Sequence, residues 1–231
     1  RTANLLNKDH IKYLFSIFEN NHAEIRLVGG CIRDIFLNKE SKDIDTATVI
    51  EPNEVLEILN SNNIEYDDFA IQYGSVIAYP LEKKVQITTL REDVNQIGRH
   101  TNVIYTSDWE KDAARRDFTF NAMYLGSNNK LYDYYNGKAD LFEKKIRFIG
   151  EIEERIKEDY LRIYRYFRFL GLFELPKIIL NDQKIVEKYI HESLSILTND
   201  MIRQEVLKMF NMPFALNCFN KSHQTHIKFK W

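Results

Sequence analysis

Apolar residues return every three or four positions near the start of the chain, with Ile11, Leu14, Phe15 and Phe18 on one side of a helix over 8–20. The period then shortens. Residues 24–28 form a strand-like run, 31–37 a short helix and 43–48 a second strand. Pro52, suited to the first turn of a helix, leads into Val55, Leu56, Ile58 and Leu59. Two further strand-like runs, 75–79 and 85–90, flank a turn containing Pro80, Glu82, Lys83 and Lys84. Residues 91–108 are polar, contain Gly98 and follow neither period, so they read as a loop, and loops of that length are usually functional or mobile.

Asp108 caps the start of the next helix. Residues 131–141 then give a strand, a turn and a new helix, and 145–149 read as a last strand. From Glu151 onward the pattern is helical, with amphipathic stretches at 182–194 and 201–210, while 220–231 are basic and without clear period. The expectation is an α+β fold: a head over 1–149 with a mixed sheet and flanking helices, an all-helical neck over 150–212, and a basic tail over 213–231.

Composition excludes little beyond disorder. Hydrophobic residues are 44% and charged residues 29%, ordinary for a globular chain. No apolar run approaches the 18–20 residues of a membrane span and no signal peptide is visible, so no membrane partner is expected. Cys31 and Cys218 lie far apart, and His223 and His226 lack a third ligand; we expect no zinc site and a reducing, cytoplasmic setting. Charge is more informative. The net charge of −2 splits into −7 over residues 1–110, with 11 Lys and Arg against 18 Asp and Glu, and +5 over 111–231, with 21 against 16. The second half is the better nucleic-acid candidate, the first the better cation site.

Three constellations carry the candidate chemistry. Gly29 and Gly30 follow the apolar Leu27 and Val28, letting the backbone turn tightly and approach a phosphate, with the amides of the following helix pointing at it. Six residues after that helix come Asp43 and Asp45, two apart in the strand over 43–48 and so pointing to one face; two close carboxylates beside a phosphate seat suit Mg²⁺. Arg115, Arg116 and Asp117 precede aromatic and small apolar residues, and guanidiniums hold phosphates while an Arg–Asp pair can hold a ribose hydroxyl. Asp159 and Arg162 are three apart and share a face of a continuous helix, where an Asp can accept from the amine of cytosine or adenine and an Arg can donate to ring nitrogens and carbonyls.

These motifs occur in an order that resembles one family. Gly-Gly-x-x-Arg-Asp (Gly29, Gly30, Arg33, Asp34) followed by Asp-x-Asp resembles the polymerase-β-like nucleotidyltransferases, and within them the class II tRNA nucleotidyltransferases, the CCA-adding family that includes bacterial poly(A) polymerases. Residues 114–123, the Asp-x-x-x-Gly pattern at Asp133 and Gly137, and Glu158, Asp159 and Arg162 resemble its later motifs. The resemblance implies transfer of CMP and AMP from CTP and ATP to the 3′ end of tRNA, with Mg²⁺ held by Asp43 and Asp45. It further implies that Arg116 and Asp117 contact the incoming sugar with Arg115 in support, that Asp159 and Arg162 select the base, and that Arg165 and Arg168 meet triphosphate or tRNA. Asp133 and Gly137 would be structural, and the loop over 91–108 would act in the switch from C to A addition.

Poly(A) addition, partial CC or A addition, and an inactive paralogue that binds nucleotide or RNA remain alternatives. Gln86 stands where many members carry Glu, and Asp200 and Met201 stand where Glu and Arg are usual. The chain also stops where other members continue, and a partner chain or second copy is one source for the missing grip on tRNA.

Overall fold

The computed structural model describes residues 2–41, 43–97 and 100–219. Expectations for Gly98, His223, His226 and the basic segment 220–231 lie outside the described residues. In chain order the first elements are α1 (Thr2–Leu6), α2 (Asp9–Asn20), β1 (Ile25–Val28), α3 (Gly30–Phe36), β2 (Asp45–Thr48), α4 (Pro52–Ser61), β3 (Tyr66–Asp67), β4 (Ser75–Ala78) and β5 (Val85–Thr89). They continue with β6 (Arg91–Ile97), β7 (His100–Tyr105), α5 (Trp109–Ala114), β8 (Met123–Leu125), β9 (Leu131–Asp133) and α6 (Gly137–Phe142). Helices α7 (Ile152–Glu158), α8 (Leu161–Leu170), α9 (Leu180–Lys188), α10 (Ile190–Ile196) and α11 (Asn199–Phe210) follow.

Packing divides the chain into two units. One comprises Arg1–Asn95, Asn102–Arg116 and Phe120–Lys138; the other comprises Gln96–Thr101, Asp117–Thr119 and Ala139–Trp231. Residues 139–149, which the sequence pattern groups with the head, thus pack with the helices. So does the short segment Asp117–Thr119, through backbone bonds from Thr119 N to Arg147 O and from Ile149 N to Asp117 O.

In the first unit the sheet runs β3-β4-β5-β2-β1-β8-β9, antiparallel except for the parallel β2–β5 pair. A parallel pair needs a long crossover, and α4, β3 and β4 supply it. Pro52 lies in the first turn of α4, and Glu51 and Glu54 close a capping box there, with Glu51 N donating to Glu54 Oε2 at 3.0 Å. α2 buries Ile11, Leu14, Phe15, Ile17 and Phe18, the side its periodicity marks. β1 lies inside the sheet with all four residues buried, Arg26 among them. The Arg26 guanidinium is tolerated because it lies between the Trp109 and Tyr132 rings, 3.9 and 3.5 Å from their centroids, and donates to Glu24 Oε1.

Three sequence expectations need correction. Residues 91–108 are no irregular loop; β6 and β7 pair as a separate two-stranded sheet. Backbone pairing requires no apolar face, so a ribbon of largely polar residues gives periodicity nothing to register. Residues 145–149 form no strand, only isolated bridges Phe118↔Phe148 and Lys145↔Lys177. Aromatic packing holds that segment instead, Phe148 lying 4.8 Å from Phe118 and 6.0 Å from Tyr166 between ring centroids. The amphipathic stretch 182–194 is two helices, α9 and α10, broken at Tyr189 (φ −95°, ψ 0°), whose hydroxyl donates to Glu153.

Candidate active site

In the sheet unit, the turn after β1 places Gly29 at φ 76° and ψ −128°, a conformation glycine adopts without the steric cost of a Cβ. Gly29 N donates to Met123 O on β8, which ties the turn to the sheet. A Cβ built on Gly29 would lie 3.5 Å from Asn121 O and 3.9 Å from Arg116 Nη1; one on Gly30 would lie 3.4 Å from Arg33 Nη2. Two guanidiniums therefore stand over a backbone surface free of side chains, at the start of α3. Chemically, that arrangement could cradle a multiply charged phosphate. Arg33 is held by Asp34, through Nε and Nη2 at 2.9 and 2.8 Å, and by Asn121 Oδ1 at 2.9 Å.

Asp45 opens β2, opposite Gln86 of β5. Asp43 lies before the strand and is exposed, so alternation along a strand is not what brings the two acids together. Their coupling is electrostatic. Burial pushes the Asp45 carboxyl up, the Arg116 charge pulls it back, Asp43 adds to the rise and Lys84 opposes it, with an upward result. A divalent cation would relieve both the burial cost and the repulsion. Among the described residues no three His, Cys, Asp or Glu side chains converge; two carboxylates by themselves would suit an ion such as Mg²⁺ that keeps several of its waters. Gln86 adds no charge; its amide donates to Ser75 Oγ at 3.0 Å, itself 3.0 Å from Thr88 Oγ1.

Arg115 and Arg116 follow directly on α5 and share one acid that the motif reading missed. Asp112, 1% exposed, accepts from Arg115 Nε at 2.9 Å, Arg116 Nη2 at 3.1 Å and the Tyr124 hydroxyl at 2.6 Å. Burial alone would raise this carboxyl, but Arg116, Arg115 and Tyr124 outweigh it and hold it near 2. The signal was present in the sequence: Asp112 lies three and four residues before the two arginines, the spacing of ion pairs on one helix face. Tyr124 and Asn121 left no comparable sign.

The helical unit contains Asp117, Asp159, Arg162, Arg165 and Arg168. Within that unit Asp117 accepts from Arg165 Nε at 2.6 Å and from Phe118 N at 2.7 Å, and in the sheet unit Arg116 bonds Asp112. Asp159 and Arg162 do not share a continuous helix. The chain extends at Asp159 (φ −151°, ψ 101°) between α7 and α8, and Asp159 Oδ1 accepts from Leu161 N at 3.0 Å, which makes it a cap for α8. Arg162 is 6% exposed and donates to Glu158 Oε2 at 2.8 Å and to Arg155 O at 2.6 Å. Arg168 pairs with the buried Glu205 of α11 at 3.2 Å. Asp133 caps α6, accepting from Gly137 N at 2.7 Å and Lys138 N at 2.9 Å. Both cysteines are buried free thiols, and burial pushes Cys31 up to about 12, so it is inert.

Comparison with known proteins places the family and the fold. The CCA tRNA nucleotidyltransferase 1, mitochondrial, of Mus musculus is 44% identical over 162 residues, 70% of this chain and 37% of that protein. The CCA-adding enzyme of Oceanobacillus iheyensis is 34% identical over 193 residues, 83% of this chain and 47% of that protein. The chain thus spans less than half of the length of either relative. A crystal structure of the Bacillus stearothermophilus CCA-adding enzyme in complex with CTP shares the fold, with a TM-score of 0.81 and 24% identity, over 92% of this chain and 51% of that one. The Thermotoga maritima CCA-adding enzyme complexed with tRNA shares it at a TM-score of 0.71 and 23% identity, over 96% and 50%. The family model described as the poly A polymerase head domain matches residues 25–147, from the first residue of β1 to just beyond α6, and on that match over more than half of its length the chain belongs to the poly A polymerase head-domain family.

Proposed function

We propose that this chain is the nucleotide-transferring part of a tRNA nucleotidyltransferase, which adds C and A to the 3′ end of tRNA from CTP and ATP and releases pyrophosphate. The observation that carries the reading is the pair Asp43 and Asp45 beside a glycine turn overlooked by Arg33 and Arg116. In this reading the triphosphate lies on the Gly29–Gly30 turn, its charge met by the two guanidiniums and the first amides of α3. Asp112 and Tyr124 hold Arg115 and Arg116 in place before substrate arrives, so no reorganisation is needed at the moment of reaction.

Asp43 and Asp45 would hold Mg²⁺, which on binding lowers the pKa of the attacking ribose hydroxyl and neutralises charge on the leaving pyrophosphate. Asp117, oriented by Arg165, would accept from a ribose hydroxyl and so favour ribonucleotides. Asp159 and Arg162 would act in base choice, with Arg165 and Arg168 supporting the triphosphate or tRNA. Because Asp159 also caps α8 and Arg162 is bound to Glu158, any base contact would be made by a rigid helix start. The hairpin of β6 and β7 would take part in the change from C to A addition.

The relatives' additional length supports further tRNA contacts from outside these residues, on the same polypeptide, a partner chain or a second copy. No helix among the described residues is long and apolar enough to cross a membrane, and the two free thiols suit a reducing compartment, which we take to be the cytoplasm or the mitochondrial interior of the Mus musculus relative.

The test is incorporation of one labelled nucleotide at a time, with Mg²⁺, into tRNAs ending before the first C, the second C and the A. C, C and A in turn, with UTP and GTP refused, is the expected result. The match to a poly A polymerase head favours one alternative, which the same assay detects as repeated A addition irrespective of the tRNA end. Absence of incorporation with every primer would leave a binding protein without turnover.

A further inference from the structure

Four of the six lysines in the acidic first 110 residues gather on one surface of the sheet unit. Lys8, Lys83 and Lys84 line a cleft of about 810 Å³, and Lys39 lines an adjoining recess of about 390 Å³ that shares Lys8, Glu40 and Ser41 with it. They arrive from three places in the chain: the residue before α2, the segment between α3 and β2, and the turn before β5. Two acids are present. Asp9 lines the cleft, and Glu40 pairs with Lys8 at 3.6 Å while itself 86% exposed. Lys39, Lys83 and Lys84 make no ion pair among the described residues. Like charges collected in a concave surface focus their field on whatever anion enters it.

The cleft is also built in a costly way. Leu81 forms part of its wall at φ 49° and ψ 43°, and Glu82 follows at φ 61°, a left-handed pair without glycine. Such backbone persists only where surrounding structure holds it, and it is commonest near functional sites. Here it delivers Lys83 and Lys84 to the cleft. The cleft borders the catalytic strand as well: Ile44, between Asp43 and Asp45, lines it, as does Ser41, whose hydroxyl donates to Asp43 O at 2.8 Å.

We propose that this cleft holds backbone phosphates of the RNA strand whose 3′ end is being extended, an inference that rests on the nucleotidyltransferase reading above. The distribution of charge selects this ligand. A compact polyphosphate needs donors converging on one point, as Arg33 and Arg116 do over the glycine turn. Lysines spaced along a cleft and its side recess match single charges repeated along a chain. Burial and the charges of Lys8 and Lys83 hold His10 below its usual range, so it is neutral near pH 7 and can donate a hydrogen bond without adding charge.

The test is binding of the 231-residue chain to a labelled RNA hairpin with a single-stranded 3′ end, measured without nucleotide or Mg²⁺ over a range of salt. The double variant Lys8→Gln/Lys83→Gln spares Lys84, whose charge reaches Asp45. It is expected to weaken RNA binding about five- to tenfold at low salt and to flatten the log–log salt slope by about 0.7 for each phosphate no longer held. CTP and ATP affinity should not change. Glu40→Gln, at an exposed position, should tighten RNA binding about two- to threefold. Unchanged RNA binding in both variants overturns the proposal, and so does a loss confined to pyrophosphate or CTP, which would make the cleft a leaving-group site. RNA binding that weakens as expected, in a protein that incorporates no nucleotide, would retain the cleft and reject the enzymatic reading. No RNA binding by the unaltered chain would overturn the cleft proposal, and nucleotide incorporation by the same chain would then retain the enzymatic reading.

Discussion

Two pairs of arginines, one in each unit, are held in opposite ways. In the sheet unit, Arg115 and Arg116 draw on Asp112 of their own helix, three and four residues upstream. In the helical unit, Arg165 and Arg168 reach Asp117 and Glu205, 48 and 37 positions away. A local pair forms as soon as its helix forms. A distant pair exists only once the unit has packed, and it then belongs to the packing. The units also differ in what they leave unmatched. Asp43 and Asp45 make no ion pair among the described residues, whereas Glu158 and Glu205 are each bound by two cations. Unmatched acids in the sheet unit are available to a cation; matched acids in the helical unit hold a shape.

The largest effect should come from the unmatched acids. Asp43→Ala and Asp45→Ala are each expected to lower nucleotide incorporation about a thousandfold or more, several kcal/mol of transition-state stabilisation, while the melting temperature holds or rises slightly. Incorporation near the unaltered rate in either variant rejects the assignment. The opposite profile is expected of Glu205→Ala, which leaves Arg168 largely buried without its carboxylate. It should lower stability by about 3–5 kcal/mol, read as a shift in urea midpoint. A midpoint within experimental error of the parent would mean that the α8–α11 contact stands on apolar packing alone.

Acid should probe the local pair. Asp112 is depressed in the folded state, so the folded protein binds fewer protons there than the unfolded chain. Its contribution, about 2 kcal/mol, is fully present above about pH 4 and is lost as the pH falls towards 2. Denaturant midpoints of the parent should therefore fall more steeply over that window than those of Asp112→Asn, and parallel curves would contradict the ion-pair account. The smallest effect separates two roles of one residue. Asp159→Ala should cost about 1 kcal/mol through the lost cap of α8, whereas Asp159→Asn, also a good cap, should cost only a few tenths. If Asp159 also reads the base, both variants should admit UTP and GTP; relaxed choice in Ala alone would reduce Asp159 to a cap.

Much of this protein could be read from the chain because the physics involved is local. Gly29 and Gly30 after an apolar run, Pro52 in the first turn of α4 and Asp108 as cap of α5 each act within a few residues, and each is found where the pattern put it. The ordered motifs likewise sufficed for the family and the mixed sheet. The hairpin of β6 and β7 was not legible, because a polar ribbon bonded through its backbone leaves no periodic trace. The break at Asp159 was hidden for another reason: a residue that could continue a helix face can equally cap the next helix, and periodicity does not distinguish them.

What only the tertiary structure decided is partnership. Nothing in the sequence near Asp117 marks Arg165, 48 residues on, as its partner, and the fold joins them. It also draws Lys8, Lys39, Lys83 and Lys84 to one surface from positions up to 76 residues apart. Side-chain identity and spacing determine which short elements form and which chemistry is available. The match of a charge to its counter-charge across long loops depends on burial and on which faces meet, and the sequence carries that information only through the whole packed chain.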